Sequence, residues 1–373
     1  MDSPDTKISE TSTLQKRKVF VGMSGGVDSS VSAALLQQQG YEVVGVFIKV
    51  WQAEFLPCSW REERRDAMRI ASQLGIPFLT LDLEKEYKEE VVDYMISEYG
   101  AGRVPNPDVM CNKYVKFGAF LDFALTHGAD YIATGHYARV EAAEGHHKLL
   151  MGVDKEKDQS YFLWTLTEGE LAHTLFPVGH LEKKDVRTLA HSFGLLNADK
   201  KDSQGLCFMG AVDMSEFLKH YLKTAKGDVI DKDGAVIGTH EGAMLYTIGQ
   251  RHGFSTIKRS ASEEPYFVIA KDIEKNTITV SHRDPAIKDA NNEEDHLDIT
   301  DLNLISLDDI YGKDVHARIR YRGKLLPISV EQMSAHEARI TTAASEEGIA
   351  AGQSVVFYKG EECLGGGVIN AVV

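Results

Sequence analysis

A short polar run between an apolar segment and a helical pattern carries the strongest signal for chemistry in this chain. We call it the glycine loop; its residues, 24–30, read Ser-Gly-Gly-Val-Asp-Ser-Ser. Two adjacent glycines let the backbone approach a ligand closely, and hydroxyls together with the N–H groups at a helix start bind anions. The loop lacks the Gly-Lys-Ser/Thr ending of the Walker phosphate loop. It therefore predicts a phosphate site made of backbone and hydroxyl groups.

The glycine loop resembles the pyrophosphatase loop of enzymes that split ATP between its α and β phosphates. This resemblance implies that a carbonyl oxygen of the substrate is adenylated and that a nucleophile then displaces it. The loop alone leaves several reactions open. Among them are the synthesis of argininosuccinate, GMP, NAD and asparagine, and several tRNA modifications.

Two cysteines lie where a thiol can react. Cys111 follows Asp108 by three residues at a predicted helix start, and the dipole of a helix favours a thiolate there. Asp108 itself fits either an N-terminal cap, which the sequence alone favours, or an acid/base. Cys207 stands between Gly205 and Gly210, which is a poor setting for a purely structural thiol. A buried, unreactive thiol is the alternative at both positions.

Alternating strand and helix patterns must position these groups. Apolar runs predict strands at 19–23, 42–48, 78–82 and 129–134. Helical periodicity predicts helices at 31–39, 60–74, 84–99 and 111–127. Such a series predicts an α/β fold with a doubly wound parallel sheet and right-handed crossovers. Ligands bind beyond the carboxyl ends of such strands, so we expect the glycine loop, Ile48 and the pair Gly135-His136 on one rim.

The pattern changes near residue 205. Short strands and turns follow, with a hairpin signal at 231–234 and further strands at 267–269 and 277–281. An acidic segment then predicts a linker, and the remaining sequence alternates as in a small antiparallel barrel or sandwich. The predicted organisation is a disordered leader at 1–17, a catalytic domain at 18–205, a small β-rich domain at 206–283, a linker at 284–300 and a C-terminal β-barrel at 301–373.

Composition restricts the class of protein. With 373 residues, 43% of them hydrophobic and 26% charged, the chain has room for two or three ordinary domains. No apolar run is long enough to cross a membrane and the leader does not resemble a secretory signal, so we expect a cytoplasmic protein without a membrane partner. A net charge of −15 argues against wholesale nucleic-acid binding but permits a local basic patch. Four scattered cysteines without a CxxC pair predict neither a disulfide framework nor a metal centre.

Two further segments fit either ligand binding or a structural role. Lys157-Asp158-Gln159 precedes a predicted apolar helix, with Asp158 either its cap or a binding residue. A second group crowds a predicted strand and its turn; it consists of Arg318, Arg320, Tyr321, Arg322 and Lys324. Arginines beside an aromatic ring can grip phosphate and stack on a base, whereas a solvated strand face is the alternative.

From about residue 18 to its end, the chain resembles the bacterial tRNA-specific 2-thiouridylase family, which installs sulfur on the wobble uridine of the tRNAs for Lys, Glu and Gln. Several sequence blocks in the right order carry the resemblance, and together they are far more specific than any one of them. Three blocks lie in the first part of the chain: Gly-Met-Ser-Gly-Gly-Val-Asp-Ser from Gly22, Pro-Asn-Pro-Asp-Val-Met-Cys-Asn-Lys from Pro105 and Ala-Thr-Gly-His-Tyr from Ala133. Three more follow: Lys-Asp-Gln-Ser-Tyr-Phe-Leu from Lys157, Lys-Asp-Ser-Gln-Gly-Leu-Cys-Phe from Lys201 and Gly-Gln-Arg from Gly249.

The resemblance implies a role for each matching position. The ATP phosphates would be bound by Gly22, Met23, Ser24, Gly25, Gly26, Val27, Asp28 and Ser29, with Ile48 and Gly135 lining the adenosine site. The flipped uracil would be received by Asn106, Pro107 and Asp108, with Asp108 the acid/base. Cys111 would be the nucleophile and Cys207 the persulfide carrier, and the two thiols would form a transient disulfide. The tRNA would be contacted by His136, Lys157, Asp158, Gln159, Arg320, Tyr321 and Gln353.

The resemblance also implies reactants and partners. ATP with Mg²⁺, whose ligands the sequence does not assign, would activate the uracil, and a persulfide supplied by a sulfur-relay protein or a cysteine desulfurase would provide the sulfur. The family pattern Met-Lys-Asn-Trp is replaced here by Ile-Lys-Val-Trp at 48–51, and the segment 52–60 with Cys58 differs from the usual acidic one. The rival interpretations are an adenylating enzyme that acts on a small metabolite and a tRNA-binding protein that keeps a relic loop.

Overall fold

Five parallel strands form the sheet behind the glycine loop. The computed structural model describes residues 16–56, 60–143, 145–201, 213–257, 264–282, 295–305, 310–312, 314–342 and 349–372. The strands run in the order β3-β2-β1-β4-β7, with β1 Lys18–Gly22, β2 Glu42–Lys49, β3 Phe78–Asp82, β4 Tyr131–Ala133 and β7 Thr174–Leu175. Val19, Val21 and Val46 have no exposed surface, as expected of central strands that are covered on both faces.

Helices cover both faces of this sheet. One apolar layer contains α1 Val27–Gln38, α2 Trp60–Leu74 and α8 Lys183–Ser192. The other contains α3 Glu84–Tyr87, α4 Tyr94–Gly100, α5 Pro107–Met110, α6 Phe120–Thr126 and α7 Glu168–Ala172. The predicted doubly wound parallel sheet is thereby confirmed. Helix α1 begins four residues before the predicted start at 31, because the glycine loop leads directly into it.

Two π-helical stretches interrupt the second helical layer. Lys88–Asp93 joins α3 to α4, and Cys111–Ala119 joins α5 to α6. The predicted helix at 111–127 therefore starts earlier, at Pro107, and carries wide turns near its beginning. Such wide turns occur frequently at functional sites.

A small β domain follows helix α9, Met214–Lys219. Its strands run in the order β10-β9-β8-β12-β11, with β8 Gly227–Ile230, β9 Val236–His240, β10 Ser255–Thr256, β11 Phe267–Asp272 and β12 Thr277–Ser281. The predicted hairpin joins β8 to β9; there the Asp231 carboxylate accepts bonds from the N–H groups of Asp233 and Ala235, and Gly234 takes a φ of 82°.

The C-terminal strands close into a six-stranded barrel. They follow the order β13-β16-β15-β14-β17-β18, and β18 pairs back with β13. Their bounds are β13 Asp295–Leu304, β14 Val315–Arg318, β15 Leu326–Gln332, β16 Ala338–Thr342, β17 Ser354–Lys359 and β18 Glu362–Val372. Of the two predicted alternatives, the barrel is therefore confirmed. Residues 295–300, predicted to be linker, are instead strand: Leu297 and Ile299 alternate into the barrel core despite the acidic residues around them.

A hairpin of the first domain extends the barrel sheet. Strand β6 His146–Met151 pairs with the start of β18, and β5 Ala138–Ala143 pairs with β6. Leu149 and Trp164 of the first domain share one buried cluster with Val356 and Tyr358 of the barrel. The two domains are therefore joined by continuous sheet and by a common core. Across the described ranges, no helix is both long and apolar enough to span a membrane.

Candidate active site

The glycine loop is held in shape by its own hydroxyls. Ser29 Oγ and Ser30 Oγ both donate to the carbonyl oxygen of Gly26, at 3.2 and 2.8 Å. Gly25 has a φ of 75°, and a Cβ built there would stand 2.7 Å from the backbone oxygen of Glu63. A glycine is therefore required at this turn both by its backbone conformation and by the approach of helix α2.

The start of helix α1 is open toward a ligand. Gly26 is its N-cap residue and, as a glycine, has no side chain to cap the helix, while Ser24 Oγ accepts a hydrogen bond from Gly26 N at 3.3 Å. The backbone N–H groups in the first turn of a helix carry the positive end of the helix dipole and bind phosphate. Asn197 stabilises this arrangement from far along the chain, since its Nδ2 donates to Gly25 O at 3.1 Å and to Ser30 Oγ at 2.9 Å. The local sequence around Asn197 gave no signal for this role.

Asp28 is engaged by two residues that sequence reasoning missed. Lys183 Nζ lies 2.6 and 2.8 Å from the two carboxylate oxygens, and the Tyr137 hydroxyl donates to Oδ1 at 2.8 Å. Asp28 and Lys183 both face the cavity beside the loop. The ion pair thus holds an ammonium group next to the phosphate site, which itself has no lysine.

A cavity of about 740 Å³ lies at the carboxyl ends of the strands. Gly135 stands on its wall, where a Cβ would come within 2.8 Å of Ser29 N, so glycine allows β4 to end against helix α1. Most of the predicted site residues share this wall: Gly22, Met23, Ser24, Gly26, Val27, Asp28, Ser29, Ile48, Cys111, Gly135, His136, Lys157, Gln159 and Tyr321. Off the wall lie Gly25, Asn106, Pro107, Asp108, Asp158, Arg320 and Gln353.

Cys111 faces the cavity from the second turn of its helix rather than from its start. Asn106 is the N-cap, with its Oδ1 accepting from Val109 N at 3.4 Å, and Pro107 takes the first helical position. The preference for Asp108 as the cap is therefore wrong, because asparagine followed by proline begins the helix two residues earlier. Cys111 is 4% exposed as a residue, and Lys116 lines the same wall.

Asp108 lies one helical turn before Cys111, on the same side of the helix. Burial raises the pKa of its carboxyl above the usual aspartate range, and the positive charge of Lys116 opposes that rise. A carboxyl with a raised pKa exchanges protons closer to neutral pH. This property fits the acid/base alternative for Asp108.

His136 is a buried, neutral part of the wall. Its Nδ1 bonds with Thr134 Oγ1 at 2.7 Å, and its ring packs near Phe117 and Phe176. Burial, assisted by the charge of Lys116, holds the pKa of His136 well below its usual value. The imidazole is thus uncharged at neutral pH and does not add positive charge to the cavity.

Asp158 joins the first domain to the barrel. Its Oδ1 accepts from Gly152 N and Ser160 N, and its Oδ2 accepts from Arg318 of β14 at 2.8 Å. With 2% exposure it is inaccessible to a large ligand. The predicted apolar helix after it is wrong: only a short 3₁₀ turn forms at Ser160–Phe162, where the chain turns into the domain junction.

The neighbours of Asp158 face the cavity instead. Gln159 pairs with Tyr137 through two hydrogen bonds, Tyr137 N to Gln159 Oε1 at 3.0 Å and Gln159 N to Tyr137 O at 2.8 Å. Lys157 stands on the same wall. The two polar residues that flank the buried acid thus share the cavity wall.

The barrel supplies one edge of the cavity. Tyr321 packs on Phe162 with ring centroids 4.5 Å apart, and the exposed Arg322 lies over Tyr321 at 5.2 Å. Arg320 is exposed outside the cavity, and Gln353 Oε1 accepts from Ala350 N in the turn before β17. Arg322 is thus a cavity residue to which the resemblance assigns no role, although it belongs to the basic group that the sequence indicates at 318–324.

Two cysteines of interest, Cys207 and Cys58, lie outside the described residues. Lys201, the last described residue before the segment with Cys207, stands on the cavity wall.

Mg²⁺ can be tested against the acidic groups of the cavity. Asp28 and Glu63 face it, and both carboxylate oxygens of Asp28 already accept from Lys183. In the described ranges, no group of three or more His, Cys, Asp and Glu side chains could hold a metal ion. These residues do not make up a Mg²⁺ site of the protein's own.

A parallel sheet, a glycine turn and an open helix start at one cavity define a nucleotide-binding domain of the pyrophosphatase-loop class. Three family profiles match the chain in the same order as its domains: "tRNA methyl transferase HUP domain" at residues 17–211, "tRNA methyl transferase PRC-barrel domain" at 215–282 and "Aminomethyltransferase beta-barrel domain" at 294–369.

The chain belongs to the tRNA-specific 2-thiouridylase family. It is 45% identical over 363 residues to tRNA-specific 2-thiouridylase MnmA 2 of Geobacillus kaustophilus, a match that covers 95% of each chain. It is also 45% identical over 359 residues to the MnmA protein of Bacillus subtilis, covering 95% of each chain. With the MnmA protein of Nitrosomonas eutropha it shares 46% identity over 363 residues, covering 96% of this chain and 99% of that one.

Proposed function

We propose that this protein is a tRNA 2-thiouridylase that uses ATP to replace the C2 oxygen of the wobble uridine with sulfur. The observation that carries the proposal is one cavity that unites an open helix start, a thiol and residues of the barrel. A phosphate-binding loop alone would suit many adenylating enzymes. Cys111 on the facing wall, in a chain 45% identical to thiouridylases, favours sulfur transfer.

The first step is activation of the uracil. The ATP phosphates would lie at the start of helix α1, with Ile48 and Gly135 beside the adenosine. The C2 oxygen attacks the α-phosphorus, a P–O bond forms, and the bond to pyrophosphate breaks. Lys183, which Asp28 holds at the cavity, stabilises the negative charge that gathers on the departing phosphates. Mg²⁺ is proposed as a companion of these phosphates, whose oxygens are the ligands it prefers.

The second step is sulfur transfer. The outer sulfur of a persulfide on Cys207 attacks C2, and the bond from C2 to the AMP oxygen breaks. The thiolate of Cys111 then attacks the inner sulfur of Cys207, so that the sulfur bound to C2 leaves with the electron pair of the S–S bond. A Cys111–Cys207 disulfide results, and an external thiol reduces it. Asp108, with its raised pKa, takes up and returns the proton of the Cys111 thiol.

The tRNA would bind at the mouth of the cavity. Lys116, Lys157, Lys201 and Arg322 stand on its wall, and they supply local positive charge in a chain whose net charge is −15. The target base has to leave the anticodon stack to enter such a pocket. We propose the tRNAs for Lys, Glu and Gln as substrates, a cysteine desulfurase or sulfur-relay protein as donor, and the cytoplasm as the location.

The direct experiment combines the protein with ATP, a persulfide donor and unmodified tRNA for Glu. We expect 2-thiouridine in the digested tRNA, one AMP for each sulfur inserted, and loss of both products when tRNA is omitted. Cys207→Ser should stop thiolation. AMP formation without tRNA would instead favour the alternative, an adenylating enzyme that acts on a small metabolite.

A further inference from the structure

The connection between α4 and α5 leads directly to Asn106, Pro107 and Asp108, which the family resemblance assigns to the flipped uracil. We call residues 101–105 the support loop; Asn106 follows it. Its first half closes helix α4, since Gly102 N donates to Tyr99 O at 2.9 Å and Arg103 N to Glu98 O at 2.8 Å. Gly102 has a φ of 74°, as is usual for the glycine that ends a helix in this pattern. One end of the loop is thus fixed within the first domain.

The small β domain presses on the support loop. A Cβ built on Gly102 would stand 2.6 Å from Ile273 Cγ1 and 2.8 Å from its Cδ1. Ile273 follows strand β11 and packs against the apolar core of the small domain. The side chain of Ile273 therefore occupies the space that any larger residue at position 102 would need.

The barrel holds the second half of the same loop. Val104 N donates to Ala351 O at 2.8 Å, across the domain boundary. Gly352, with a φ of 93°, lies so close that a Cβ there would stand 2.8 Å from Val104 N. The turn that carries Ala351 and Gly352 is itself held by β18, because Gly352 N donates to Ile369 O at 2.8 Å.

A third contact reaches the first residue of the pocket. The Asn106 side chain lies beside the hydroxyl of Tyr161, where it lowers the pKa of that hydroxyl against the larger rise caused by burial. That hydroxyl donates to two backbone oxygens of the barrel, Ser354 O at 2.9 Å and Ile319 O at 3.2 Å. The N-cap of α5 is thereby tied to the barrel as well.

We propose that Ile273, Ala351 and Gly352 are positioning residues: by holding the support loop from two sides, the β domains set where Asn106, Asp108 and Cys111 stand relative to the nucleotide. The inference rests on the proposed function, because it concerns the rate of that reaction. None of the three residues lines the cavity. Their effect should therefore fall on the rate of sulfur insertion and leave ATP binding unchanged.

The first test is Gly102→Ala. A methyl group there forces Ile273 or the loop to move, and a shift of about 1 Å at a reacting group can lower a rate by about 100-fold. We expect kcat for thiolation to fall at least about tenfold, with KM for ATP unchanged. The matched control is Gly75→Ala, which places alanine at a similar φ of 66° after helix α2 with no atom within 4 Å. It should keep kcat within about twofold of wild type.

Rescue separates positioning from general destabilisation. The double variant Gly102→Ala with Ile273→Ala removes the collision but keeps a contact, because the added methyl stands 4.0 Å from the Cβ that residue 273 retains. Its kcat should therefore return toward that of Gly75→Ala, whereas Ile273→Ala alone leaves the loop without this contact and should lower kcat. A double variant as slow as Gly102→Ala alone would overturn the proposal, as would a Gly102→Ala enzyme as fast as the control. A wild-type protein that forms no 2-thiouridine would instead refute the proposed function, which keeps the two failures distinct.

The barrel contact has its own matched pair. Gly352→Ala collides with the backbone of Val104, whereas Gly360→Ala, in the turn between β17 and β18 at a φ of 61°, has no atom within 4 Å. We expect Gly352→Ala to lower kcat at least as much as Gly102→Ala and Gly360→Ala to leave it near wild type. Melting curves run beside the kinetics would show whether each variant is folded at the assay temperature. Equal rates for the two barrel variants would contradict the role of Gly352.

Discussion

The two sides of the cavity are built in different ways. The nucleotide side comes mainly from consecutive residues, because the glycine loop folds on its own hydroxyls and runs straight into helix α1. The uracil side combines Cys111 with Lys157 and Gln159, which flank Asp158, and Tyr321 of the barrel. The first side should therefore tolerate changes in the other domains, whereas the second should depend on how the domains dock.

The largest effect that separates the two sides is expected for Cys111→Ser. Thiolation should fall by at least about a thousandfold, because a hydroxyl is a far weaker nucleophile than a thiolate. One turnover of tRNA-dependent AMP release should persist, since the nucleotide side is intact. Parallel measurement of 2-thiouridine and AMP checks this expectation.

Cys363→Ala is the matched control for that variant. Cys363 has no exposed surface, and burial raises the pKa of its thiol to about 12, so it cannot act as a thiolate near neutral pH. Thiolation should survive this change. If Cys111→Ser abolished AMP release as completely as thiolation, the proposed separation of the two sides would fail.

The docking of the domains is tested by Asp158→Ala. Removing Asp158 leaves the Arg318 guanidinium buried without its carboxylate, and breaking such a pair costs about 3–5 kcal/mol. We expect the free energy of unfolding in urea to drop by that amount. Lys155→Ala is the control, because its pair with Glu361 is more than half exposed and contributes about 0–1 kcal/mol. Similar losses for the two variants would contradict the assigned importance of the junction.

A smaller effect, confined to the nucleotide side, is expected for Lys183→Met. Loss of an ammonium group that stabilises the departing phosphates should lower kcat/KM for ATP by about 10- to 150-fold, since a charge-assisted hydrogen bond is worth about 1.5–3 kcal/mol. KM for tRNA should stay unchanged. Lys184→Met removes a neighbouring ammonium that is 75% exposed and should leave both constants unchanged. A rise in KM for tRNA alone would reverse the assignment of the two sides.

The smallest effect concerns the pH dependence of stability. The pKa of folded His136 lies well below the unfolded value of 6.5 because of burial, so below pH 6.5 the unfolded chain binds more protons than the folded one. Stability should therefore decrease as pH falls, by up to about 1.4 kcal/mol per pH unit for one group. Urea unfolding at several pH values, with His136→Gln beside wild type, measures this. An identical slope for the two proteins would contradict the neutral, buried state of His136.

The difference between local and long-range contacts on the two sides of the cavity also explains what could be predicted from the sequence. The strands and the glycine loop are encoded by short-range signals, apolar runs and a glycine turn, and the barrel by strand alternation. The roles of Asn197, Lys183 and Tyr137 could not be predicted, since each reaches the loop from more than 100 positions away.

The predictions that the structure contradicts also have physical causes. The sequence favours Asp108 as the helix cap, but Asn106, which precedes a proline, caps the helix in the structure. Asp158 carries no local sign of its partner Arg318, which lies 160 positions later. The sequence likewise gives no sign that the hairpin β5–β6 extends the barrel, because β6 pairs with the distant strand β18.

The central claim is that ATP activates the C2 oxygen of the uridine, and an oxygen-isotope experiment tests it most directly. The tRNA would carry a heavy oxygen isotope at C2 of its wobble uridine, and a single turnover with ATP and a persulfide donor would be analysed by mass spectrometry. The account predicts that the label leaves in the phosphate of AMP, at one atom for each 2-thiouridine formed. Label found in water or in pyrophosphate, with unlabelled AMP, would contradict it.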